Sequence, residues 1–91
     1  MIKIISHDLN NVKYNAVQNI TVDSQTLVNF ITSNFYTIKN VNYIHITFYD
    51  TAGILMSIPN TYWLVVADKD NTELYVLNTD DYNKMFTIGN N

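Results

Sequence analysis

The side chains best able to do chemistry crowd into Asp68-Lys69-Asp70-Asn71-Thr72-Glu73, followed after one apolar run by Asp80-Asp81. Oxygen ligands at alternate positions are what a calcium loop offers. A helix-loop-helix calcium site also needs glycine at its sixth position and glutamate at its twelfth. Here those places hold Glu73 and Thr79, and the flanking segments read as strands. A solvated hairpin turn is the better reading. Metal-assisted phosphodiester hydrolysis needs convergent carboxylates with a basic or water-activating group nearby. Tyr75 stands two residues after Glu73, where a Glu-x-Lys element would need lysine.

The remaining catalytic residue types are sparse. His7 falls in a turn, and His45 lies between Tyr43 and Tyr49 on the polar face of a strand. Ser57 has no glycine elbow around it. Gly53 and Gly89 are the only glycines, so no phosphate-cradling loop can form. The absence of cysteine removes disulfides, thiolate metal sites and a thiol nucleophile. The expectation is no enzyme, no cofactor, no metal and no catalytic residue. Tyr43 and Tyr49 could stack nucleic-acid bases. Five lysines, no arginine and a net charge of −3 supply almost no attraction for phosphate, so direct nucleic-acid binding is not expected.

Those residues must be held by a small body. Ninety-one residues at 47% hydrophobic and 14% charged read as one domain over 1–91, large enough for a modest core. The apolar run 62–67 is far short of the roughly 20 residues of a membrane helix. The first residues lack the apolar segment of a signal peptide. A soluble, cytoplasmic chain is expected, with no membrane partner. Plentiful Asn, Ile and Tyr beside no Arg match an AT-rich genome, such as a low-GC bacterium or its phages and plasmids. Charge is unevenly placed. Residues 1–49 carry Lys3, Lys13 and Lys39 against Asp8 and Asp23, a net +1. Residues 50–91 carry Lys69 and Lys84 against Asp50, Asp68, Asp70, Glu73, Asp80 and Asp81, a net −4.

Ile2–Ser6 reads as a strand, closed by the polar run 7–11 and paired with an extended stretch over Val12–Val22. Asp23 or Ser24 is a good N-cap for the one strong helix. Leu27, Val28, Ile31, Phe35 and Ile38 fall at helical spacing with Phe30 at the border, and Lys39-Asn40 would end it. Ile44, Ile46 and Phe48 then alternate with Tyr43, His45, Thr47 and Tyr49, as in a half-buried antiparallel strand. Asp50–Gly53 is a turn and Ile54–Ile58 returns. Tyr62–Ala67 and Glu73–Leu77 form a hairpin around the acidic loop. Thr79 caps a short helix over Asp80–Phe86, and Thr87–Asn91 is a frayed tail. The order β-β-α-β-β-β-β predicts an α+β fold: one antiparallel sheet of five to six strands with the main helix on one face.

Function is then expected from surface. Tyrosine contributes large contact area while keeping a polar handle, and there are seven with one tryptophan. Tyr43, Thr47 and Tyr49 share one strand face in this reading. Asp68, Asp70, Glu73, Asp80 and Asp81 would make an acidic edge that steers toward a host protein with a basic surface. Small anti-defence inhibitors of phages and mobile elements, anti-CRISPR proteins among them, are similar in size, charge and lack of chemistry. No motif here matches one of them. The competing readings are a ligand or catalytic pocket, either between helix and sheet or at a homodimer interface, and a structural subunit of a phage or plasmid assembly.

Overall fold

The structure, a computed structural model, describes residues 2–6 and 12–88, with 2–6 and 87–88 described by their backbone alone. Its order is β1 (Ile2–Ser6), β2 (Lys13–Gln18), a 3-10 turn (Thr21–Asp23), α1 (Ser24–Ser33), β3 (Thr37–Val41), β4 (His45–Tyr49) and β5 (Leu55–Pro59). Then follow β6 (Trp63–Ala67), β7 (Asp70–Leu77), α2 (Thr79–Met85) and β8 (Phe86–Ile88). The α+β class and the antiparallel pairing hold. The single sheet does not: the strands form a five-stranded sheet ordered β7-β6-β2-β1-β8 and a separate three-stranded sheet β3-β4-β5.

The reason is that the predicted helix is too long. Asp23 caps it as expected, accepting from the Thr26 amide at 3.4 Å and its hydroxyl at 2.8 Å. The helix stops at Ser33 rather than Lys39. The Phe35 amide donates to the Thr32 carbonyl at 3.0 Å and the Tyr36 amide to the Ile31 carbonyl at 3.3 Å. This is the paired Schellman closure, which needs a left-handed residue between the two turns, and Phe35 takes it at φ 66°. Thr37–Val41 is thereby released to become β3. Ile38 joins the core from that strand, while Phe35 points to solvent. Both fell at helical spacing only by coincidence of register.

Alternation then builds two cores on opposite faces of the five-stranded sheet. From β6, Leu64 and Val66 enter the larger cluster with Val17, Leu27, Phe30, Ile31, Tyr36, Ile46, Phe48 and Ile58. That cluster fills the space between this sheet, α1 and the three-stranded sheet. Val65 and Ala67 turn to the other face and pack with Tyr14, Ala16, Tyr82 and Phe86 under α2. Trp63 lies flat on Tyr82, with ring centroids 4.1 Å apart. Burial of β6 on both faces explains why it reads as an unbroken apolar run.

Several smaller expectations change. The stretch after β2 turns at Gln18 instead of running on to Val22. Strand β4 begins at His45, which leaves Tyr43 and Ile44 in the preceding turn, 85% and 74% exposed. Asn78 caps α2, accepting from the Asp81 amide at 2.8 Å. Thr87 and Ile88 are in β8, paired with β1, rather than in a tail. The turn at 7–11 with His7, and residues 89–91, lie outside the described residues.

The two sheets are joined at Asn19, whose side chain is 4% exposed. Its amide donates to the Tyr62 carbonyl at 2.7 Å, its carbonyl accepts from Thr61 at 2.8 Å, and its Nδ2 donates to the Ile58 carbonyl at 2.8 Å. Gln18 Nε2 adds a bond to the Thr61 carbonyl at 2.9 Å. Thr61, a β-branched residue at φ 74°, is held in an unfavourable conformation by these bonds. Asn19→Ala leaves a buried carbonyl unpaired, and we expect it to lose about 1–3 kcal/mol. Asn19→Asp, which cannot donate, should lose at least as much. Thermal melts check this; an unchanged midpoint in both variants would contradict the role given to Asn19.

Candidate functional site

The acids singled out by sequence do not form one patch. Asp68, Asp70 and Glu73 line an open cleft of about 480 Å³ with Val12, Lys13, Ala67 and Lys69. Asp80 and Asp81 lie in the first turn of α2, beyond the far end of β7. At about 3.3 Å per strand residue, Asp70 lies roughly 23 Å and Glu73 roughly 13 Å from the α2 end of β7. Asp80 and Asp81 favour the positive end of their helix.

Within the first group each carboxylate has work inside the fold. Asp68 accepts from Asn15 Nδ2 at 2.8 Å. Asp70 accepts from the Thr72 hydroxyl at 2.6 Å and amide at 3.0 Å, and these bonds hold its carboxyl below the usual carboxylate value. Glu73 is half-buried and takes the hydroxyls of both Tyr14 and Tyr75. Glu73 is therefore an internal acceptor for the second core more than a surface charge. Among the described residues, no three of His, Asp and Glu gather as a metal site would require.

The aromatic face is divided as well. Thr47 and Tyr49 sit on the outer face of β4, beside Asn40 and Thr37 of β3 and Ser57 and Leu55 of β5 by register. Tyr43, in the β3–β4 turn, is not part of that face. His45 is half-buried at the start of β4.

The structure assembles instead a group that the sequence did not show. Tyr36 is buried, and its hydroxyl donates to the Asn71 carbonyl at 2.6 Å. Asn71 Nδ2 returns a bond to the Asn34 carbonyl at 2.8 Å. Burial pushes the Tyr36 hydroxyl up to about 12, and the charges of Asp50 and Asp70 add to it. Asp70, the first residue of β7, directly precedes the Asn71 carbonyl that takes the Tyr36 hydroxyl. Asp50 Oδ1 also accepts from the amides of Ala52 and Ile54, both at 2.9 Å, and shapes the β4–β5 turn around Gly53 at φ 79°. Thr37, Tyr49 and Leu55 lie side by side in the register, so Phe35 and Ile54 end up at the same end of the small sheet. Phe35 is 82% exposed, Ile54 59% and Leu55 49%.

Phe35 was hidden because it continued a helical stripe. The signal that could have found it was Asn34 followed by Phe-Tyr-Thr-Ile, a helix-ending residue before an aromatic and β-branched run. Comparison with family models, characterised proteins and solved structures returns no match to this chain.

Burial raises the hydroxyls of Tyr14, Tyr36, Tyr75 and Tyr82, with Glu73 adding to Tyr14 and Tyr75. Each is more protonated in the folded than in the unfolded chain above about pH 10. Their contribution is complete below that value and is lost as pH rises toward the folded values. We expect alkaline unfolding to begin near pH 10, with tyrosinate absorbance from these four rising together with loss of far-ultraviolet dichroism. Ionisation of all four with the dichroism intact would contradict the burial described.

Proposed function

We propose that this chain is a non-enzymatic protein-binding domain that seats Phe35 in an apolar socket on a partner. Asp50 and Asp70 would meet basic groups at the socket's rim. The observation that supports this reading most strongly is Phe35 itself. A left-handed C′ position suits glycine, and a phenylalanine there is strained by about 1 kcal/mol. The ring is 82% exposed, so the fold gains no burial from it. A partner that buries the ring would supply the gain that the fold does not, and strained residues of this kind collect at binding sites. Large aromatics seated in a partner's pocket dominate binding energies, and flanking charges mainly set encounter rate and orientation.

The partner is then a protein with a basic surface, and inhibition of a host protein by a mobile-element product is one use that fits. Asp68 belongs to the same rim on this reading. Glu73, already bound by two tyrosines, contributes little, and Asp80 and Asp81 belong to another part of the molecule.

Phe35→Gly separates function from fold. Glycine relieves the strain, so the variant should melt no lower than the parent, and up to about 1 kcal/mol more stable. Binding to a partner recovered from host lysate should weaken by at least roughly thirtyfold, the loss typical of a hot spot. Asp50→Asn with Asp70→Asn should slow association and flatten its salt dependence. Full binding by the glycine variant would overturn the proposal.

A further inference from the structure

The two sheets end in four edge strands among the described residues, and three of these edges are closed off. Strand β3 carries an irregularity between Ile38 and Asn40, β5 ends in Pro59, and β8 is only three residues long. Bulges, prolines and shortness are what keep an edge from pairing. The fourth edge strand, β7, is eight residues long. Its start is protected as well. The ladder to β6 slips between Val66 and Ala67, the Asn71 carbonyl accepts from Tyr36, and the Asn71 side chain donates to Asn34. Past that point the protection stops. Leu74, Tyr75, Val76 and Leu77 pair regularly with Val66, Val65, Leu64 and Trp63, and all four are half-buried. Among the described residues, no backbone bond from outside the sheet reaches 73–77.

We propose that the open edge of β7 over Leu74–Leu77 docks an extended segment of a partner protein, β-branched or apolar at its centre and carrying lysine or arginine at both ends. Backbone donors and acceptors repeating along an edge are met in full only by another strand. Leu74 and Val76 pack against the larger core, and Tyr75 and Leu77 against the second, so an added strand extends apolar packing on both faces. Charge decides the rest. The exposed Asp70 precedes this stretch, and the exposed Asp80 and Asp81 follow it. Antiparallel pairing with a second copy over 74–77 would set Asp70 of one chain against Asp80 and Asp81 of the other. Like charges so placed destabilise a strand pair. A segment with cations at both ends meets the same acids favourably.

This site does not rest on Phe35, so the two readings fail separately. The probe is a synthetic peptide of alternating Val and Thr between lysine pairs, blocked at both termini. Added to the whole chain, it should bind more weakly as salt rises and slow amide exchange at 73–77. Replacing its lysines by glutamates should weaken binding about tenfold or more. Methylating its central backbone nitrogens should abolish binding. In the chain, Asp70→Asn with Asp80→Asn should weaken binding about threefold, as exposed ion pairs do. The first of these changes keeps the side-chain oxygen that accepts from Thr72. Phe35→Gly should leave peptide binding unchanged. No binding at millimolar peptide overturns the proposal, as does equal binding of the glutamate or methylated peptide. Protection on β3 or β5 instead, or loss of binding with Phe35→Gly, also contradicts it. So does exchange at 73–77 that slows with chain concentration alone, which would make a second copy the occupant.

Discussion

The whole arrangement depends on the hydrogen bonds that Asn19 makes at the end of β2. Strands β2 and β6 are neighbours in the five-stranded sheet, yet α1 and the entire three-stranded sheet are inserted between them in the chain. Asn19 closes the base of that insertion by bonding to residues 58, 61 and 62 at once. With the base closed, α1 and the small sheet are laid over Leu64 and Val66 on one face. The other face is left for α2. A buried amide that loses its partners here would cost more than its bonds are worth, because the polar groups left behind are shielded from water.

Two residues other than glycine carry positive φ among those described, and the contrast between them guides the functional reading. Thr61 is explained by the fold: bonds from Gln18 and to Asn19 hold it, and the turn it makes carries the chain from one sheet to the other. Phe35 is explained only in its backbone. The Schellman closure and the Asn34–Asn71 bond fix where the ring starts, while the ring itself rests on nothing that would account for a phenylalanine. Rigid placement of an exposed aromatic is what a binding anchor requires, since little entropy remains to be lost when it is buried.

How far this was legible in the sequence varies by element. The existence of the β6–β7 hairpin, the alternation over His45–Tyr49 and the Asp23 cap follow from local chemistry, although β7 already begins at Asp70 rather than Glu73 and Tyr43 and Ile44 fall outside β4. The sheet count was not legible, because it depends on where α1 ends. Phe35 and Ile38 extend the helical period, and only tertiary contacts through Tyr36 and Asn71 decide for a strand. The acidic loop was visible as composition, but the internal use of Glu73 depends on Tyr14, 59 positions away in the chain. Asp50 was visible as a turn acid, and that its charge and that of Asp70 both act on Tyr36 follows only from the packed structure.

The molecule thus has an exposed aromatic, Phe35, at one end of the small sheet and an uncharged, mostly polar-lined cleft at the β3–β4 turn. Partner recognition is proposed for the first. Amide hydrogen exchange, compared between the free chain and the chain bound to its partner, tests that assignment most directly. Slowed exchange at residues 34–36 and 50–54, with residues 79–85 unchanged, is the predicted result. Protection confined to 79–85 or to the outer face of β4, with none at 34–36, would contradict it.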